Sequence, residues 1–131
     1  MDTELKYTSQ EMMVVTASKF INDYETVFVG TGMPIIAALL AQKTHAPHIG
    51  FIVETGPMAP EVIPTPLSVS DPRLMYRAVK HGSLIDVLGG LMQRGIAEVG
   101  FLGAAQIDQY GNINSTVIRS EEHTSELQSH A

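Results

Sequence analysis

Hydrophobic and polar positions change period several times along the chain, and each change marks an expected element. The stretch Tyr7-Thr8-Ser9-Gln10-Glu11-Met12 opens a helix. Thr8 as N-cap with Glu11 three residues on forms a capping box, and Tyr7 is placed to staple onto Met12. That helix should run to about Ile21 or Asn22. Glu25 to Val29 is β-branched and aromatic enough to read as a strand, ending at Gly30. Gly30-Thr31-Gly32-Met33-Pro34 is a tight turn, with Pro34 suited to a first helical position. From Pro34 to about Thr44 the chain is apolar nearly all round, which predicts a buried helix. Ile49 to Val53 is the next strand. Strand, buried helix and strand make a βαβ unit, and such a unit requires parallel strands.

A long loop carrying Pro57, Pro60, Pro64 and Pro66 follows, and loops of this length inside a compact domain are usually functional. Asp71-Pro72 reads as an N-cap and first-turn proline, starting a helix that should stop near His81-Gly82. Leu84 to Arg94 is a further helix interrupted by Gly89-Gly90, and Glu98 to Leu102 a strand. Ala104 to Asp108 and Ile113 to Ile118 flank Gln109-Tyr110-Gly111-Asn112, a sequence suited to a hairpin turn. Met12, Met13, Met75 and Met92 fall at helical spacing and are expected in the core. From Arg119 onward neither period continues, and Leu127 is the only large apolar residue. That polar string looks like the in-frame translation of a sequencing-library adapter. Residues 119–131 are therefore expected to be a non-native, disordered tail, with the natural chain cut off near Ile118.

Composition narrows the class. The chain has 131 residues, 44% hydrophobic and 17% charged, which suits one globular domain or part of one. A net charge of −6 offers no electrostatic footprint for nucleic acid or an anionic membrane. The absence of cysteine excludes disulfides, thiolate metal sites and cysteine nucleophiles, and fits a cytoplasmic protein. The most apolar run, Pro34 to Ala41, is too short to span a bilayer.

The candidate chemistry gathers at strand ends. Phe51-Ile52-Val53 runs into Glu54, with Gly56 two places on to bend the chain. In open α/β sheets ligands bind outside the carboxyl ends of the strands, so Glu54 is a ligand contact or catalytic group unless it is merely a solvated loop residue. Gly30-Thr31-Gly32 has the place of a dinucleotide loop, but the third glycine of that fingerprint is Ile35 here, which argues against a nucleotide site. A glycine loop at a helix N-terminus can still present N–H groups to an anionic or carbonyl oxygen, or be a plain βα turn. His45 and His48 lack a completing shell and read as a solvated helix end rather than metal ligands. Arg73, Arg77 and Lys80 read as a solvated helix side more readily than as a phosphate site. Asn112 suits the turn, whereas Asn114 falls inside a strand, where asparagine is disfavoured and a side-chain amide could donate to an oxyanion.

Taken together, Val29 to Pro34, Val53 to Gly56, Gly103 to Asp108 and Gly111 to Asn114 resemble the β subunit of family I CoA-transferases, in the glutaconate and 3-oxoacid branch. The resemblance covers Thr8 to Ile118 and implies the N-terminal part of an open α/β domain, with a mainly parallel sheet flanked by helices. It implies transfer of coenzyme A between an acyl-CoA and a free acid through a glutamyl-CoA thioester. The enzyme would be a hetero-oligomer with an α subunit, with the CoA thioester as substrate and no bound cofactor or metal. An acyl-CoA hydrolase or ring-opening relative on the same fold, an inactive fragment, and a nucleotide-binding module are the alternatives. By the same resemblance Glu54 is the nucleophile and Asn114 the oxyanion donor, with Asn112 as fallback. Gly30, Thr31, Gly32, Met33, Gly56 and Gln106 are the implied substrate and CoA contacts.

Overall fold

The computed structural model describes residues 6–61, 66, 68–114, 116 and 117. The expected tail at 119–131 and the end of the expected last strand lie outside them. Helix α1 (Ser9–Ser18) begins as anticipated. The Thr8 Oγ1 accepts from the Glu11 N–H at 3.1 Å, and the Glu11 carboxylate accepts from the Thr8 N–H at 2.7 Å. Strand β1 (Thr26–Val29), helix α2 (Met33–Lys43) and strand β2 (Gly50–Val53) form the βαβ unit. Strands β3 (Pro57–Met58), β4 (Lys80–His81) and β5 (Val99–Phe101) complete a five-stranded sheet in the order β4-β3-β2-β1-β5. β1 pairs in parallel with both β2 and β5, whereas β3 and β4 add antiparallel. The sheet is thus open, with a parallel centre.

Alternation along the central strands divides the core in two. Val27, Val29, Phe51 and Val53 face Ile35, Ala38 and Leu39 of α2, together with Val69 and Leu74. Phe28 and Ile52 face the opposite way, against Val87, Leu88 and Leu91. A parallel sheet covered on both faces explains why β1 and β2 are continuously apolar rather than alternating.

Several expectations are corrected. The helix expected from Asp71 to His81 is a 3-10 turn, Pro72–Met75, followed by β4. Asp71 does cap it, accepting from the Arg73 N–H, but the chain then turns back as a strand pairing with β3. Consequently Arg73, Arg77 and Lys80 share no helix side. Arg73 pairs with Asp71 and Arg77 with Glu61. The segment expected as a helix over Leu84–Arg94 is π-helical from Asp86 to Met92, around the Gly89-Gly90 pair that weakens ordinary helical pairing. Met12, Met13 and Met75 are 43%, 48% and 53% exposed, so only Met92 of the four packs against a core cluster. Helical spacing located a face of α1, but among the described residues only Ser18 of that helix is buried. The last two strands are short: β6 (Gln106–Ile107) and β7 (Ile113–Asn114) form a separate antiparallel hairpin. Among the described residues no helix is long and apolar enough to cross a membrane.

Candidate active site

Because β1, β2 and β5 run parallel, their carboxyl ends open on one edge. Register aligns Val29 with both Val53 and Phe101, so the next residues, Gly30, Glu54 and Leu102, stand side by side. Neighbouring strands are about 4.8 Å apart, which brings the glycine loop next to the carboxylate by backbone alone. The Gly30 N–H extends the ladder by donating to the Phe101 carbonyl at 2.8 Å. A side chain at Gly30 would meet Leu102 at 3.3 Å, so glycine is what lets these two strand ends close together. Gly32 is the N-cap of α2 at φ 87, a backbone conformation that L-residues rarely adopt.

Glu54 sits in a turn closed by the Gly56 N–H donating to the Val53 carbonyl at 3.0 Å. Gly56 has φ +124, and a Cβ there would fall 2.0 Å from the Gly82 carbonyl oxygen. The Gly82 N–H in turn donates to the Gly56 carbonyl at 3.0 Å. Between the two, the Thr55 hydroxyl donates to the Val69 carbonyl at 2.6 Å. The turn is therefore held from both sides through backbone and Thr55. Glu54 itself is half-buried, and its side chain makes no hydrogen bond or ion pair among the described residues.

Gln106 and Asn114 are brought together, since the hairpin register pairs them directly. The Asn114 amide donates to Gln106 Oε1 at 2.7 Å and to the Val117 carbonyl at 2.9 Å, so both its N–H groups are occupied. Asn112 is engaged differently. Its backbone and side-chain N–H groups donate to Asp108 at 2.9 and 2.7 Å, closing the hairpin turn. Hydrogen bonds from the Asn112 side chain and then its backbone hold the Asp108 carboxyl below its ordinary value. Thr31 and Met33 line an apolar cleft of ≈ 470 Å³ with Met13, Ala37, Phe101 and Ile107, beside the glycine loop.

His45 and His48 lie at the opposite end of the sheet and serve separate partners. His45 Nε2 lies 3.1 and 3.0 Å from the Ser18 and Ile21 carbonyls, tying the end of α2 to that of α1. His48 Nδ1 meets Asp23 at 2.9 Å, and its ring stacks on Tyr24. Sequence reasoning passes over Thr55 and Gly82. The hydroxyl of Thr55 is visible beside Glu54, but nothing in the sequence points to Val69, and Gly82 reads only as a helix stop.

A sequence model described as Coenzyme A transferase matches residues 10–128. The β subunit of the 3-oxoadipate CoA-transferase of Pseudomonas knackmussii is 40% identical over 112 residues, which is 86% of this chain and 43% of that protein. The β subunit of the glutaconate CoA-transferase of Acidaminococcus fermentans is 37% identical over 121 residues, 89% of this chain and 46% of that one. The crystal structure of glutaconate coenzyme A-transferase from the same organism superposes with a TM-score of 0.76 at 37% identity, over 90% of this chain and 47% of its own. The decarboxylase AibA/AibB gives the same TM-score at 27% identity, over 90% of this chain and 49% of its own. This chain thus spans less than half the length of the curated relatives it matches.

Proposed function

The chain belongs to the coenzyme A transferase family, and from that premise we propose that it contributes the carboxylate nucleophile to an αβ enzyme moving coenzyme A between an acyl-CoA and a free acid. The observation that carries the reading is Glu54: a carboxylate at the open edge of a parallel sheet, firmly held by its backbone and, among the described residues, unengaged through its side chain. A carboxylate is ionised at neutral pH and, unlike serine, needs no base before it attacks.

In the proposed sequence a Glu54 oxygen adds to the thioester carbonyl carbon, and the C–S bond breaks. This gives an acyl-glutamyl anhydride and CoA thiolate. The thiolate adds to the glutamyl carbonyl, and the first acid leaves as its carboxylate. Glu54 now carries CoA as a thioester, and an acceptor carboxylate repeats the two steps in reverse. Each addition develops an oxyanion, for which one positioned donor supplies roughly 3 kcal/mol. Asn114 takes that role in this reading, the loop Gly30-Thr31-Gly32-Met33 borders the thioester, Gly56 holds the turn, and Gln106 contacts CoA. An α subunit completes the site, in the cytoplasm. Remote binding of the CoA portion would offset the cost of forming the anhydride.

Likeness to a decarboxylase makes loss of carbon dioxide the second activity to assay. These 131 residues hold no cysteine, so a decarboxylation resting on a thiol among them is closed. In the full-length two-subunit enzyme, Glu54→Gln should abolish exchange of labelled acid into acyl-CoA while leaving assembly intact. Hydroxylamine added after acyl-CoA should leave a hydroxamate on the peptide containing Glu54. Near-normal exchange by the variant, or a tag elsewhere, refutes the assignment.

A further inference from the structure

Glu54 has no side-chain anchor among the described residues, so the direction of its carboxylate depends on the turn that carries it. Within that turn Thr55 is the residue whose side chain reaches outward. Its hydroxyl donates at 2.6 Å to the carbonyl of Val69, fourteen residues away. Val69 is buried in the core cluster with Leu74 and Phe51, so the far end of this bond is fixed. The other flank is fixed by Gly56 against Gly82.

We propose that Thr55 is a positioning residue for Glu54, its hydroxyl locking the turn to the Val69 carbonyl so that the carboxylate is presented in one direction. The proposal rests on Glu54 being the reacting carboxylate. Valine at position 55 keeps the branched shape and loses the donor; serine keeps the donor and loses a methyl. A displacement of about 1 Å at a reacting group can cost roughly 100-fold in rate.

The test compares Thr55→Val, Thr55→Ser and Glu54→Gln in the full-length two-subunit enzyme. Thr55→Val should lower kcat about 10- to 100-fold with KM for acyl-CoA changed by less than about twofold. It should slow hydroxylamine trapping at Glu54 to match, and Thr55→Ser should return the rate to within about threefold of the parent. If Thr55→Val does not assemble, Thr55→Ala carries the same comparison. Parent-like turnover in Thr55→Val, a change confined to KM, or a Thr55→Ser enzyme as slow as Thr55→Val overturns the proposal, provided Glu54→Gln is inactive. Transfer by Glu54→Gln would instead overturn the reading of Glu54 on which it rests.

Discussion

Replacing Gly56 with alanine should be the most damaging single-methyl change near the candidate site. Two costs combine. The residue sits at φ +124, where a Cβ brings strain of about 1–3 kcal/mol. The added carbon would also lie 2.0 Å from the Gly82 oxygen and 2.8 Å from its carbonyl carbon, and both are backbone atoms that cannot swing aside. Relieving that contact means moving the end of β4 by about 1 Å, at an overpacking cost of roughly 1–3 kcal/mol. The Gly82-to-Gly56 hydrogen bond at 3.0 Å is lost with it, about 1 kcal/mol more. The expected sum is at least about 3 kcal/mol, or a fall in Tm on the order of 10 °C or more for a chain of this size. Two other glycines separate the contributions. Gly32 has φ +87 and open space around it, so Gly32→Ala carries strain alone, about 1–2 kcal/mol. Gly90 has neither a left-handed φ nor a close neighbour, so Gly90→Ala should be neutral or stabilising by up to about 1 kcal/mol. Thermal unfolding followed by circular dichroism orders the three. Were Gly56→Ala to unfold no earlier than Gly32→Ala, the close approach of the turn to β4 would not be what holds Glu54.

Two further predictions concern the ends of the described chain. Thr8→Ala removes the α1 cap and should cost about 1 kcal/mol, read as helicity lost in far-UV circular dichroism. The Thr8 N–H and hydroxyl hold Glu11 below its ordinary value, so its contribution is complete above the usual carboxylate range and lost as pH falls through the lowered one; equal acid sensitivity of parent and Thr8→Ala would contradict this. Asp108→Ala leaves the Tyr110 and Asn112 N–H groups without their acceptor, and cross-strand NMR contacts between Gln106 and Asn114 should vanish. In the parent the same contacts should survive above the ordinary aspartate value and weaken as pH drops through the lowered one, because the Asn112 hydrogen bonds stabilise the ionised form. Contacts that persist in Asp108→Ala would show that the turn closes without its carboxylate.

The central βαβ unit was legible because its signals agree. Apolar strands, a glycine turn, a first-turn proline and an apolar helix all demand the same layered packing, and α2 and β2 fall within a residue of expectation. The capping box of α1 was equally local. What failed was decided by contacts across the chain. Asp71-Pro72 starts a helical turn by itself, but pairing of β4 with β3 ends it, and no residue near Asp71 encodes β3. The methionines of α1 have helical spacing, but the described part of the molecule does not cover that face. Glu54 was found because its position follows from strand direction, which local sequence specifies. The groups holding its turn, Val69 and Gly82, lie 15 and 28 residues further on and are joined to it only by folding.

The hairpin poses a harder question, because an oxyanion donor must have an N–H to give. Both N–H groups of Asn114 are engaged, one by Gln106 and one by the Val117 carbonyl, and its own oxygen accepts from the Thr116 N–H at 3.2 Å. The partners differ in what releasing them costs. Gln106 is exposed, so water can replace its share of the bond, and giving it up costs about 1 kcal/mol. A bond to an oxyanion is roughly twice as strong as one between neutral groups and gains further where water is excluded. Exchange of Gln106 for an oxyanion is therefore unfavourable at rest and favourable only as charge develops, which is the condition for stabilising a transition state rather than a substrate. The two side chains then predict opposite outcomes. Asn114→Ala should lower kcat about 100-fold, whereas Gln106→Ala removes the competing acceptor and should leave kcat at or above the parent's, any loss falling on KM. Equal losses of kcat in both variants would mean that the amide pair only braces the hairpin and that the oxyanion is met by another group.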